Sequence, residues 1–105
     1  MNKSNNDVFA ANLRVSEALK AELVEALSDL FKATLKNDHT KTCDSLATII
    51  TITYILGRKM GIDFTTLDYL ANQKLQAGIM ESDEEDQWFD DMRYLMLYLD
   101  NRKRG

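Results

Sequence analysis

A chain of 105 residues, 45% hydrophobic and 9% aromatic, is long enough for one globular domain with one modest core, which excludes a disordered or multidomain reading. A net charge of -4 gives no electrostatic grip on a nucleic-acid backbone, and the lone cysteine, Cys43, excludes an internal disulfide and suits a reducing compartment. There is no proline, no apolar core in the polar stretch Met1 to Asp7, and no stretch long enough to span a bilayer, so a cytoplasmic, membrane-free, all-helical protein is expected.

Residues 1–6 are expected to fray, and residues 7–105 to form a single helical domain. Asp7 to Asn37 reads as one helix, or as two divided near Asn12. Leu19, Leu23, Leu27, Leu30 and Phe31 recur at three- and four-residue steps and mark an amphipathic face. On the same helix Glu22, Glu25 and Asp29 fall within roughly 60° of one another at about 100° per residue. They border Ala18, Ala26 and Ala33. Three carboxylates this close repel, so either water screens them or a cation holds them.

Asn37-Asp38-His39-Thr40 reads as a turn. Thr42 to Lys59 carries the β-branched run Thr48 to Ile55, which by propensity alone scores as a strand. A helix is predicted instead. With Leu46 and Ala47 the run exceeds a usual strand, no hairpin supplies a partner, and a lone strand leaves its backbone groups unpaired. A helix apolar around most of its circumference is a central one, so a second copy of the chain is expected to cover part of it. Asp44, Thr48 and Thr51 form a narrow polar stripe along it. If the two helices pack antiparallel through their short turn, Asp44 comes near the acidic stripe, an oxygen-only arrangement of the kind Mg²⁺ prefers. The plainer alternatives are a solvated acidic face and threonines bonded to their own carbonyls one turn back.

Gly61 is expected to end this helix and Asp63 to cap the next, with Phe64, Leu67, Leu70, Ala71 and Leu75 inward and Gly78 as its stop. Ser82-Asp83-Glu84-Glu85 reads as the capping box of a last helix whose apolar stripe is Trp88, Met92, Leu95, Met96 and Leu99. The acids from Glu81 to Asp86 then form a solvated helix start, and Arg102-Lys103-Arg104 a favourable helix end. His39 and Cys43, four residues apart, offer two ligands of a transition-metal site, short of a full set. Trp88, Phe89, Tyr94 and Tyr98 offer faces for a base but fit a core and interface stripe better.

Three segments carry a family resemblance: Glu22-Leu23-Val24-Glu25-Ala26-Leu27, Cys43-Asp44-Ser45-Leu46-Ala47, and Leu56-Gly57-Arg58-Lys59-Met60-Gly61-Ile62-Asp63. Over roughly Asn12 to Leu99 the chain resembles the MazG-like, all-α nucleoside triphosphate pyrophosphohydrolases, above all the short MazG-like proteins of Gram-positive bacteria. The resemblance implies an antiparallel bundle of about four to five helices, completed by assembly into a homodimer or homotetramer. It also implies a Mg²⁺ site from an EExxE motif on one helix and an ExxD motif on the next. The first motif here is Ala21-Glu22-Leu23-Val24-Glu25 and has lost its leading acid. The second is Lys41-Thr42-Cys43-Asp44 and has exchanged its glutamate for lysine. Glu22, Glu25 and Asp44 thus match ligand positions, Asp29 offers a substitute acid, and Lys41 is an altered ligand position that instead suits an ion pair with Glu22 or Glu25. Lys74, in Lys74-Leu75-Gln76-Ala77-Gly78, matches a phosphate-contacting lysine whose companion asparagine is missing. Three functions follow as expectations: a Mg²⁺-dependent enzyme cleaving a nucleoside triphosphate to its monophosphate and pyrophosphate, a non-catalytic MazG-like module with a nucleotide-binding, regulatory or protein-interaction role, or a helical interaction protein that only shares the bundle.

Overall fold

Helix-forming residues unbroken by proline give four α-helices and, among the described residues, no strand: α1 (Asn5–Leu35), α2 (His39–Lys59), α3 (Phe64–Glu81) and α4 (Phe89–Arg104). The structure is a computed structural model and describes residues 5–83 and 85–104. The expected frayed start lies outside the described residues at positions 1–4, while Asn5 and Asn6 already belong to α1. The chain divides into two compact units, 1–63 and 64–105.

In the first unit, α1 and α2 form an antiparallel hairpin. Its two ends are tied by the same device. Asn37 adopts a left-handed φ of 54°, the Asp38 amide donates to the Ala33 carbonyl at 2.9 Å, and the Asn37 amide donates to that of Thr34. Gly61, at φ 85°, repeats the pattern, with Ile62 donating to Gly57 at 2.8 Å and Gly61 to Arg58. Both are Schellman closures, which satisfy the last carbonyls of a helix that would otherwise lack partners. Asp38 also caps α2, its carboxylate accepting from the Lys41 amide at 3.1 Å.

α1 does not break at Asn12. The Asn12 carbonyl accepts the Ser16 hydroxyl at 2.8 Å, and the helix runs 31 residues without interruption. The β-branched segment of α2 is helical throughout. Thr48 and Thr53 donate one turn back, to the Asp44 and Ile49 carbonyls, so of the expected stripe of Asp44, Thr48 and Thr51 the Thr48 hydroxyl is satisfied within the helix.

The seam between the two helices uses a narrower set than the expected leucine face. Ser16, Ala26 and Ala33 are buried on α1, with Leu19, Leu23 and Leu30 half-buried between them; together they repeat in steps of three and four. Leu27 and Phe31 instead face outward, Phe31 at 62% exposure. Opposite stand Ser45, Ile52 and Gly57, buried, with Ile49 and Leu56 half-buried. Alanine, serine and glycine at the contact let two backbones approach closely, which a leucine pair would prevent.

In the second unit, α3 and α4 are antiparallel. Arg102 bonds Asp68 at 2.8 Å, the Asn72 amide reaches Asp100 at 3.4 Å, and Met92 lies against Gly78. Gly78 does not stop α3, which continues to Glu81. A Cβ built there would lie 2.8 Å from the Met92 sulfur, so the glycine serves helix contact within the helix. Of the expected inward residues, Leu67 and Leu75 are half-buried, whereas Phe64, Leu70 and Ala71 are exposed.

The last helix begins later than its capping box suggests. Glu84 lies outside the described residues. An Asp83–Asp86 turn precedes α4, the Asp86 carboxylate accepts the Trp88 amide, and the Trp88 carbonyl takes the first helical bond, from Met92. Asp86, bonding to the backbone two residues on, is the device that turns the chain. Trp88 and Leu95 are therefore exposed, and the α4 seam is Phe89, Met92, Met96 and Leu99. No helix among the described residues is long and apolar enough to cross a membrane.

Candidate functional site

The hairpin turn sets which side chains of α1 and α2 meet. With the turn centred on Asn37, residues whose numbers sum to about 74 are level, at about 1.5 Å per residue along the axis. Asp29 is thus level with Ser45, Ala33 with Lys41, and Asp44 with Leu30. All of these but Leu30 line one cavity of about 350 Å³ between the end of α1 and the start of α2, together with Lys32, Lys36 and Asp38.

Three sequence-derived candidates therefore converge: Asp29 and Asp44 from facing helices, and Lys41 beside them. Glu22 and Glu25 do not line this cavity and are exposed farther along α1. By the level rule Glu25 lies five residues, about 7 Å, and Glu22 eight residues, about 12 Å, from the level of Asp44. Among the described residues no three His, Cys, Asp or Glu side chains gather as a metal-holding group. Lys74 is exposed on α3, in the second unit.

The ion pair of Lys41 with Glu22 or Glu25 does not form, whereas Lys20 pairs with Glu17 and Arg102 with Asp68. The register is the reason, since Lys41 is level with Ala33, two turns from Glu25. Lys32, Lys36 and Lys41 likewise make no ion pair with Asp29 or Asp44. Six charges surround the cavity, held apart and open to solvent.

The lining tests the Mg²⁺ expectation through charge. Donor number alone would suffice, since Mg²⁺ is often held by one or two carboxylates, waters and phosphate. Three ammonium groups on the same cavity oppose a dication, and one of them, Lys41, stands where the motif places an acid. The lining as it stands does not fit a resident Mg²⁺.

Lys32, Lys36, Asp38 and Ser45 are site residues that the motifs do not mark. Lys32 and Lys36 follow Asp29 at i+3 and i+7, a spacing that places them on its edge of the helix. Ser45 adjoins Asp44 but sits in the seam.

The remaining candidates stay separate. His39 and Cys43 touch, Nε2 to Sγ at 3.6 Å, without a third ligand among the described residues. Arg93 lies over the Phe89 ring at 5.8 Å and Arg102 over Tyr98 at 5.6 Å, so arginines occupy two of the faces considered for a base.

A family model described as MazG-like family matches residues 9–92, which contain the whole α1–α2 hairpin cavity and Lys74. Comparison with curated proteins and with solved structures yields no match.

Proposed function

The chain belongs to the MazG-like family, and from that premise we propose that it is a nucleotide-binding member that does not carry out Mg²⁺-dependent pyrophosphohydrolysis. The observation that supports this reading is Lys41. It replaces a motif acid and lines the same cavity as Asp29 and Asp44, together with Lys32 and Lys36. Positive charge that a metal would supply to a polyphosphate is carried here by side chains.

Calorimetric titration with Mg²⁺ or Mn²⁺, with and without a non-hydrolysable nucleoside triphosphate, tests the reading alongside an assay for pyrophosphate release. The expected result is nucleotide binding without metal-dependent turnover and no heat from millimolar metal alone. Steady pyrophosphate release that Glu25→Ala abolishes would overturn it.

A second reading is favoured by the placement of Asp29 and Asp44 on facing helices. In it, these two acids hold Mg²⁺ together with water and phosphate oxygens, as in a hydrolase of the family. Substituting Lys41 separates the two readings and is taken up in the Discussion.

Self-association belongs to the same proposal. α2 buries one face in the hairpin seam, while Leu46 and Ile50, on another face, are 45% and 58% exposed. A second copy covering them forms the homodimer or homotetramer that the apolar girth of α2 suggests. Ile50→Lys should then lower the mass seen in sedimentation equilibrium to that of one chain at micromolar concentration. An unchanged mass distribution would place the interface elsewhere.

A further inference from the structure

The end of the first hairpin opposite the Asn37 turn carries a second cavity. It lies between the start of α1 and the end of α2 and holds about 330 Å³. Phe9, Leu13 and Met60 give it an apolar lining, and Lys20 and Lys59 add two ammonium groups. Its three large apolar residues are each at least half exposed, Phe9 at 70%. Lys20 also pairs with Glu17 at 2.8 Å, but no carboxylate lines the cavity itself. An apolar floor with bases beside it suits an occupant that is apolar at its centre and acidic around it.

The chain itself contains such an occupant. From Glu81 to Asp91 the sequence carries seven of its seventeen acids and no base, so the rest of the chain holds more bases than acids. Within this run stands Trp88, the single tryptophan of the chain, 71% exposed. The Asp86 carboxylate accepts the Trp88 amide at 3.0 Å, which ties the tryptophan to a turn and lowers the cost of ordering it in a contact. Tryptophan is the kind of anchor that fills a pocket at the centre of a protein contact. One sequence thus carries two surfaces of opposite charge, each with an apolar centre, and such complementarity steers copies toward each other.

We propose that the cavity between the start of α1 and the end of α2 receives Trp88 of a second copy, with the acids beside that tryptophan facing Lys20 and Lys59. The contact joins two different surfaces, so two copies that exchange tryptophans satisfy both at once. It is separate from the α2 face of Leu46 and Ile50, and it does not rest on the nucleotide-binding reading.

As the only tryptophan, Trp88 reports its own cover. The test is fluorescence emission of the full chain from nanomolar to high micromolar concentration, for the natural chain and for variants. Emission is expected to move to shorter wavelength as the chain associates. Phe9→Ala, Lys59→Glu and Glu85→Lys should each raise the midpoint concentration about tenfold. Lys59→Glu combined with Glu85→Lys should recover much of the loss, because opposite charges face each other again. Thr51→Asp, exposed on α2 and outside the cavity, should leave the midpoint unchanged, and Ile50→Lys should retain the shift. Far-UV circular dichroism of each variant confirms that the helices are retained. Phe9→Ala, at an exposed position and without change of charge, keeps the test sound if a charge variant misfolds. Emission independent of chain concentration overturns the inference. A shift lost in Ile50→Lys but kept in Phe9→Ala and Lys59→Glu also overturns it and leaves self-association through α2 standing. Equal effects of Thr51→Asp and Lys59→Glu overturn it as diffuse repulsion between surface charges.

Discussion

Ile52→Asp is expected to unfold the α1–α2 hairpin. Ile52 is 6% exposed and stands in the seam against α1. Truncation to alanine costs about 2–5 kcal/mol through lost burial and the void left behind. An aspartate adds a carboxylate buried without a partner, a further several kcal/mol. A domain of this size is stable by only about 5–15 kcal/mol, so the charged variant removes most or all of that margin. Urea unfolding followed by far-UV circular dichroism checks this. The neighbouring Thr51→Asp is the control, because Thr51 is exposed and adds the same charge to the same helix. Equal destabilisation by the two variants would mean that α2 does not present this face to α1.

Lys41→Glu is expected to create divalent-metal affinity where the natural chain has little. The substitution exchanges one ammonium for one carboxylate beside Asp29 and Asp44, a change of two charges facing a dication. At about 5 Å in a solvent-exposed cavity, Coulomb's law with screening makes this about a ten- to hundredfold gain in affinity. Titration with Mn²⁺, followed by calorimetry or electron paramagnetic resonance, measures it. A rise would identify Lys41 as what separates this chain from a metal-dependent relative. Natural-chain affinity already as high as the variant's would favour the hydrolase reading, and no gain would mean that Asp29 and Asp44 do not share a cation-sized space.

The two substitutions bear on different parts of the molecule. Ile52 tests the packing that fixes the register of the hairpin, and Lys41 tests the chemistry that the register creates. Glu22 and Glu25 show how the two are linked. Their spacing resembles the family motif, yet a turn centred on Asn37 puts them one to two helical turns past Asp44, while Asp29 comes about level with it. Side chains spaced correctly along one helix meet a second helix only where the turn brings them.

Local chemistry made much of the fold legible beforehand. The β-branched stretch of α2 was readable as helix because a lone strand has no partner for its backbone. Gly61 was readable as a boundary because its conformation closes a helix, and Asn37-Asp38 as a turn; α2 nevertheless starts at His39, earlier than the Thr42 expected, because Asp38 caps it. These are properties of a few neighbouring residues, so sequence alone carries them. Long-range contact decided the rest. Gly78, a stop by local rules, lies inside α3, where Met92 of another helix occupies the space that a Cβ would take. Ala26 and Ala33 take the seam from Leu27 and Phe31 because close approach of two backbones favours small residues over large apolar ones. Ser45, an ordinary helix serine in the sequence, is packed into the seam at the edge of a cavity only because α1 lies against it. The charges of the site were therefore written in the chain, but which of them face each other was decided by the register of two packed helices.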